Sequence, residues 1–321
     1  MHLLTRIRRR IITSPPVSFL IRKSKKIFLP GFQGIPLFDV VRFFVLQTKK
    51  TSFTERASAI AFNFTMTIPP VIIFLFTLLP YLPISKDFIN QMFLLIKDIV
   101  PGEKNNAGLI KFLRDILHRP RTGLLSTGFL LAMFFSSNAV MGIMRSFDKQ
   151  YIGFTKRKGF QPRWVALRLT LILFILFFVC ITALIMQGAV LKLFGVKSSF
   201  FISLIRDLRW ILIVLLFFFS ISFIYRYAPA VHKRWKLISP GSILATFLMI
   251  VFTAGFSYYV SNLSHYNQLY GSISTVLILM LLIYFNSLVL LIGFELNVSI
   301  VSLKHEVDER NKNLAGGIHS G

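Results

Sequence analysis

Glu295, with Asn297 two residues on and Asn286 nine before, is the only formally charged residue in an apolar run from Gly271 to Leu303. A carboxylate inside a bilayer is costly unless it is paired, protonated or facing water. Such a group can bind a cation or take up a proton along a substrate path. Near the end of the run it can instead pair with Arg56, Arg145 or Arg226. A second polar track opens with Asn63, continues one turn later at Thr67 and meets Pro69 and Pro70. Two prolines in an apolar helix free backbone carbonyls that need partners in neighbouring helices or water. That pattern suits a gate, or else Asn63 and Thr67 only bond to an adjacent helix. Ser136, Ser137, Asn138 and Gln187 admit the same two readings. Outside the apolar runs, Lys156-Arg157-Lys158 and His232-Lys233-Arg234 are basic clusters, with Arg145 and Arg226 close by. They either hold phosphate headgroups or another anion, or serve only to set topology beside anionic lipid.

Soluble-enzyme chemistry has little to stand on. GxxxxGK[ST], HExxH, GxGxxG and GxSxG are all absent. His2, His118, His232, His265, His305 and His319 are scattered, and none has a His or Cys at metal-ligand spacing. Cys180 is the single cysteine, which excludes an internal disulfide and cysteine-pair redox chemistry. A two-metal nuclease needs carboxylates converging on one site, and the acids here are few and dispersed. No cofactor, metal or nucleic-acid partner is expected.

The elements that must position these residues are membrane spans. Of 321 residues 55% are hydrophobic and only 15% charged, and mean hydropathy is +0.68. That is about ten points below the charged share of soluble domains. A span needs about 20 apolar residues. Six stretches qualify, at about 57–79, 123–144, 167–191, 208–227, 241–262 and 271–303. The last, at about 1.5 Å per residue, gives about 50 Å against a core of about 30 Å, so it tilts or projects. Ser52-Phe53-Thr54-Glu55 has capping-box spacing and predicts the start of the first span. Ahead of it, residues 1–50 form a basic arm and an amphipathic interfacial or connecting helix from Pro36 to Lys50. Arg8, Arg9 and Arg10 resemble a signal start. Pro15, Pro16 and the lysines after Ile21 argue instead for a retained arm. Between spans one and two, Ser85 to Gly102 and Leu109 to Pro120 read as a small outer helical cap. Residues 51–303 form the membrane domain and 304–321 a flexible tail. The fold class is all-α and polytopic. With the amino terminus inside, 26 of the 37 Lys and Arg fall on the inner segments, so both termini are placed in the cytoplasm.

Ala57-Ser58-Ala59-Ile60-Ala61-Phe62 followed by Pro69-Pro70 resembles the opening helix of the BrkB/YihY family of bacterial inner-membrane proteins. Tyr270-Gly271-Ser272 and Gly293-Phe294-Glu295-Leu296-Asn297 are similar to its YGS and GAELN signatures, with Phe294 in place of the usual small residue. Arg145 to Tyr151, with Asp148 where Asn is commoner, and Tyr227-Ala228-Pro229 with Pro240-Gly241 extend the likeness over about residues 36–303. The resemblance implies a six-helix bacterial inner-membrane protein, with links in some relatives to envelope and lipid biology. Its matching positions, Glu295, Asn297, Gly271 and Pro69, coincide with those selected above. Members have often been labelled ribonuclease BN, a label for which these residues offer no physical support.

Two functional expectations follow. In the first, Glu295, Asn297, Asn63, Thr67, Pro69, Pro70, Asn138, Asn286 and Gly271 line a polar pathway of a transporter or flippase-like protein. Arg145, Lys156, Arg157, Lys158, Arg226, Lys233 and Arg234 then meet an anionic lipid or amphiphile. In the second, the chain is an envelope scaffold or regulator whose polar residues join helices. The partners expected are membrane lipids, especially anionic ones, with a second copy or an envelope protein also possible.

Overall fold

The computed structural model describes residue 19 and residues 22–50, 52–81, 122–148, 154–155, 157–193, 199–231, 234–263 and 273–317. Among them seven long helices follow in order: α1 Leu37–Lys50, α2 Phe53–Leu78, α3 Thr122–Phe147, α4 Gln161–Leu193, α5 Ser199–Tyr227, α6 Pro240–Leu263 and α7 Ile273–Gly317. There is no strand among the described residues. Helices α2 to α7 supply six segments long and apolar enough to cross a membrane. The expected outer cap, Gly271, Lys156, His232 and Lys233 lie outside the described residues, as does the side chain of Gln187.

The spans close into a ring. Each of α2 to α6 packs on its successor, or across the undescribed 82–121 segment in the case of α2 and α3, and α7 returns to α2. The first residues of α2, α4 and α6 and the last of α3 and α5 share one end of the ring, called here the basic end. Its core is a continuous cluster that includes Ile60, Ile143, Phe147, Leu169, Tyr225 and Phe294, one or more from α2, α3, α4, α5 and α7.

The α2 helix runs through Pro69 and Pro70 unbroken. Thr65 and Thr67 hydroxyls take the Ala61 and Asn63 carbonyls at 2.9 Å each, adding side-chain bonds in the turn just before the prolines. The helix begins at Phe53 as the capping box predicts, yet Ser52 makes no side-chain cap bond. At φ −73° and ψ 80° its backbone departs from the extended shape that aims an N-cap hydroxyl at the first turn. The Ser52 carbonyl still accepts from Arg56 N–H.

The long last run projects. From Val276 to Glu295 is about 30 Å of helix, one hydrocarbon thickness, and α7 continues helically to Gly317. Residues 304–317 are therefore helix where composition predicts a flexible tail. Lys304–Asp308 at 2.9 Å and His305–Glu309 at 3.5 Å are i,i+4 pairs that favour continuation. The stretch of α7 from Leu296 to Leu303 is covered by the N-terminal segment: Phe32, Ile35 and Val40 pack on Ile300, with Leu37, Leu296 and Leu303 around them. Gly31, at φ 91°, lies where a Cβ would come within 2.8 Å of Pro240 at the start of α6. Val41, Val45 and Leu46 on the other side of α1 remain exposed.

Candidate functional site

Three layers stack along the ring, and the residues singled out above distribute among them. The outermost is a cavity of about 560 Å³ to which all six spans contribute. Ile60, Phe64, Ile143, Phe174, Leu216 and Met249 represent its apolar wall; Ser220, Asn286 and Ser287 are its polar lining. Ser287 turns its hydroxyl to the Ile283 carbonyl at 2.7 Å and Asn286 Nδ2 donates to Leu282 O at 3.1 Å, so the lining polarity is partly spent on the helix itself. Of the described residues that the sequence nominated for a pathway, Asn286 lines this cavity.

The second layer is a buried ion pair toward the basic end, called here the seal. Glu295 is fully buried, and its Oε1 accepts from Arg56 Nη1 at 2.6 Å. Arg56 Nε donates to the Ser146 carbonyl at 2.7 Å, so one guanidinium ties α2 to both α7 and α3. Arg56 is therefore the partner among the three arginines considered. Arg56 Nη2 is buried without a hydrogen-bond partner among the described residues. Around the pair lie aromatic rings. Phe294 stacks on Phe147 with centroids 3.8 Å apart, meets Phe154 edge-on and touches Trp235, which gives the ring in place of a small residue a complete set of neighbours. Tyr225 O–H donates to Leu290 O at 2.6 Å.

The remaining nominated polar residues spend hydrogen bonds within a helix or between helices. Asn297 Oδ1 accepts from Gly241 N–H at 2.9 Å while its Nδ2 donates to Ser239 Oγ at 2.9 Å, holding the start of α6 against α7. Backbones approach so closely there that a Cβ on Gly241 would sit 2.1 Å from Gly293 O. Asn63 donates to Ala59 O at 2.7 Å, and Thr67 Oγ lies 3.0 Å from Phe135 O on α3 as well as near its own helix. Asn138 accepts from Arg163, whose guanidinium also lies 4.8 Å from the Phe134 ring centre. Pro69 and Pro70 lie on α2 outside the cavity lining.

The third layer is a pocket of about 320 Å³ at the basic end of the α4–α5 seam, lined by Arg157, Arg168, Arg226 and Arg234 together with Tyr227 and an apolar wall of Val165, Leu169 and Ile172. It is built by two connections that cross. Phe154 bridges Val231 in antiparallel fashion, and Thr155 N–H donates to Ala230 O at 2.7 Å. Arg157 caps the end of α5, donating to the carbonyls of Ala228 (2.7 Å), Tyr227 (3.1 Å) and Pro229 (3.0 Å). Desolvation lowers the pKa of Arg157 from its ordinary value; Asp148 opposes that and Arg234 adds to it. Sheltering likewise raises the Asp148 carboxyl, against the pull of Arg157. Lys158 and Arg145 are exposed and do not line the pocket. Arg168 was absent from the sequence nominations. Its signal was a second arginine, after Arg163 and two turns inside α4, at the same end of the ring as Arg226 on the next helix.

Residues 44–316 match the family described as Virulence factor BrkB. The chain belongs to that family. This BrkB-family protein is 27% identical over 265 residues to the putative ribonuclease-like protein YfkH of Bacillus subtilis, covering 79% of this chain and 92% of that one. Two more local likenesses are to UPF0761 membrane proteins. One from Tolumonas auensis is 32% identical over 81 residues, 25% of this chain and 27% of the relative. One from Xanthomonas campestris is 34% identical over 89 residues, 28% and 21% respectively. No solved structure matches. The ribonuclease-like name belongs to the Bacillus protein; among the described residues here no three His, Cys, Asp or Glu gather as a metal site.

Proposed function

We propose that this BrkB-family membrane protein is a transporter or flippase-like carrier for an amphiphile, favouring anionic ones, in a bacterial inner membrane. One observation carries the reading: all six spans surround a cavity of about 560 Å³ with three polar lining residues. That volume and lining fit a small-ligand site and suit an apolar chain better than an ion or sugar. The Arg56–Glu295 pair joins α2 to α7 toward the basic end, so widening the ring between those two helices requires the pair to part. A proton on Glu295 or an anion at Arg56 offsets the cost of parting. The excess of Lys and Arg on one side supports a cytoplasmic basic end.

The test is lipid mass spectrometry on protein purified gently from its own membrane, comparing wild type with Ser220→Trp, which fills the cavity from α5. Enrichment of one lipid class over bulk, reduced at least fivefold in the variant, is expected. Bulk lipid in both would overturn the carrier reading. A scaffold reading has its own support, since Asn297, Asn63, Thr67 and Asn138 all spend their hydrogen bonds within or between helices. It gains if the lipid result is negative and a stable protein partner co-purifies.

A further inference from the structure

Four guanidinium groups converge on the pocket at the basic end from four separate places: Arg157 before α4, Arg168 on α4, Arg226 on α5 and Arg234 after α5. Like charges repel, and topology alone does not require them to face one space. The carboxylate acting on Arg157 is Asp148, which leaves the group strongly positive. Three of the four are also held in place. Arg157 is fixed by three carbonyls. The guanidinium carbons of Arg226 and Arg234 lie 5.7 and 5.2 Å from the centre of the same Tyr227 ring. Arg226 Nε is buried with no hydrogen-bond partner among the described residues, a donor whose desolvation is uncompensated.

Planar N–H forks arriving from several directions suit a tetrahedral anion with several oxygens better than a flat carboxylate. We propose that this pocket binds a phosphate group. Its apolar wall points to where that phosphate belongs. Val165, Leu169 and Ile172 form one stripe of α4, and Leu173, next to Ile172, lines the ring cavity. On α5, Arg226 lines the pocket and Ile224, half a turn away, lines the cavity. Pocket and cavity are thus consecutive along the α4–α5 seam. A phospholipid with its phosphate among the arginines meets the cavity wall within about 8 Å, the length of five helical residues. The phosphate site stands on the pocket alone; only its continuation into the cavity rests on the carrier reading.

Titration calorimetry of the full chain in detergent at physiological salt tests the site with three probes: inorganic phosphate, dihexanoyl phosphatidic acid and, lacking phosphate, dihexanoylglycerol. Saturable binding of phosphatidic acid but not dihexanoylglycerol is expected, weakened at least tenfold by Arg168→Gln and by Arg226→Gln. Arg168 is exposed, so that variant keeps the test valid if Arg226→Gln folds poorly. The control Lys158→Gln/Lys236→Gln removes two exposed charges from the same end outside the pocket and is expected to change affinity less than threefold. Phosphatidic acid binding at least tenfold tighter than inorganic phosphate identifies a lipid headgroup; comparable binding identifies free phosphate. Absence of saturable binding, equal binding of dihexanoylglycerol, or equal weakening by the lysine control would each overturn the proposal. Phosphate binding that survives a negative lipid-retention result sinks the carrier reading alone.

Discussion

At the scale of single residues, the Arg56–Glu295 pair decides whether the seal is a fastening or a moving part. Both side chains are buried, and a desolvated pair is often no more stable than apolar side chains of similar volume, while removing one partner leaves an unmatched charge. Glu295→Gln is therefore expected to destabilise the protein by about 3–5 kcal/mol, read as a lowered unfolding midpoint in detergent. The double variant Arg56→Met/Glu295→Leu is expected to recover most of that loss. If stability returns but selective lipid retention does not, the charges serve opening and closing; if both return, they serve only to join α2 to α7. Phe294 poses a simpler case. It is fully buried and in contact with Phe147, Phe154, Tyr225 and Trp235. Phe294→Ala is expected to cost about 3–5 kcal/mol, because the neighbouring rings are packed around it. An unchanged midpoint would mean that those rings collapse into the space.

At the scale of helices, the sequence was most legible where the signal is simple apolar length and least where packing geometry decides. Six spans could be counted from long, predominantly apolar runs, since a bilayer leaves few alternatives for such a stretch. Pro69 and Pro70 free two carbonyls without ending α2, because each removes a single hydrogen bond and the helix carries on through both. The helical continuation of α7 past Leu303 leaves no apolar trace, because its described side chains from His305 on are exposed and its support is i,i+4 pairing. Glycine spacing shows the same limit. Gly241 and Gly255 both lie in α6, and nothing in composition separates them. Their surroundings do: a Cβ on Gly241 would collide with Gly293 O and Asn297, whereas one on Gly255 meets nothing within 4 Å. Gly241→Ala is expected to destabilise by about 1–3 kcal/mol through overpacking of a close helix crossing. Gly255→Ala is expected to be neutral or to stabilise by up to about 1 kcal/mol through helix propensity. Unfolding midpoints of the two variants, measured side by side, check the contrast; equal effects would contradict the tight α6–α7 approach.

At the scale of the whole molecule, the site divides in a way one-dimensional reading could not foresee. Polarity inside spans nominated Glu295, Asn297, Asn63 and Thr67 as pathway residues, yet side chains that are polar in sequence are spent on neighbours in space, and the ring cavity is lined chiefly by Ile, Leu and Phe. The basic clusters fared differently. Charge runs nominated Arg157, Arg226 and Arg234, and the fold brings them together because the α3–α4 and α5–α6 connections pair at Phe154 and Val231. This joins sidedness to chemistry: if the arginine pocket meets the cytoplasm, its anion comes from there. Accessibility labelling of intact cells decides the matter in a Cys180→Ala background, Cys180 itself being buried. Tyr81, exposed just past the far end of α2, and Lys158, exposed beside the pocket, lie at opposite ends of the ring. With the outer membrane permeabilised where there is one, a membrane-impermeant maleimide is expected to label Tyr81→Cys and to leave Lys158→Cys unreacted until the cytoplasmic membrane is opened. The reverse order would place the arginines outside. It would also require any phosphate-bearing ligand to be captured from the outer leaflet, while leaving the cavity and seal of the proposed carrier unchanged.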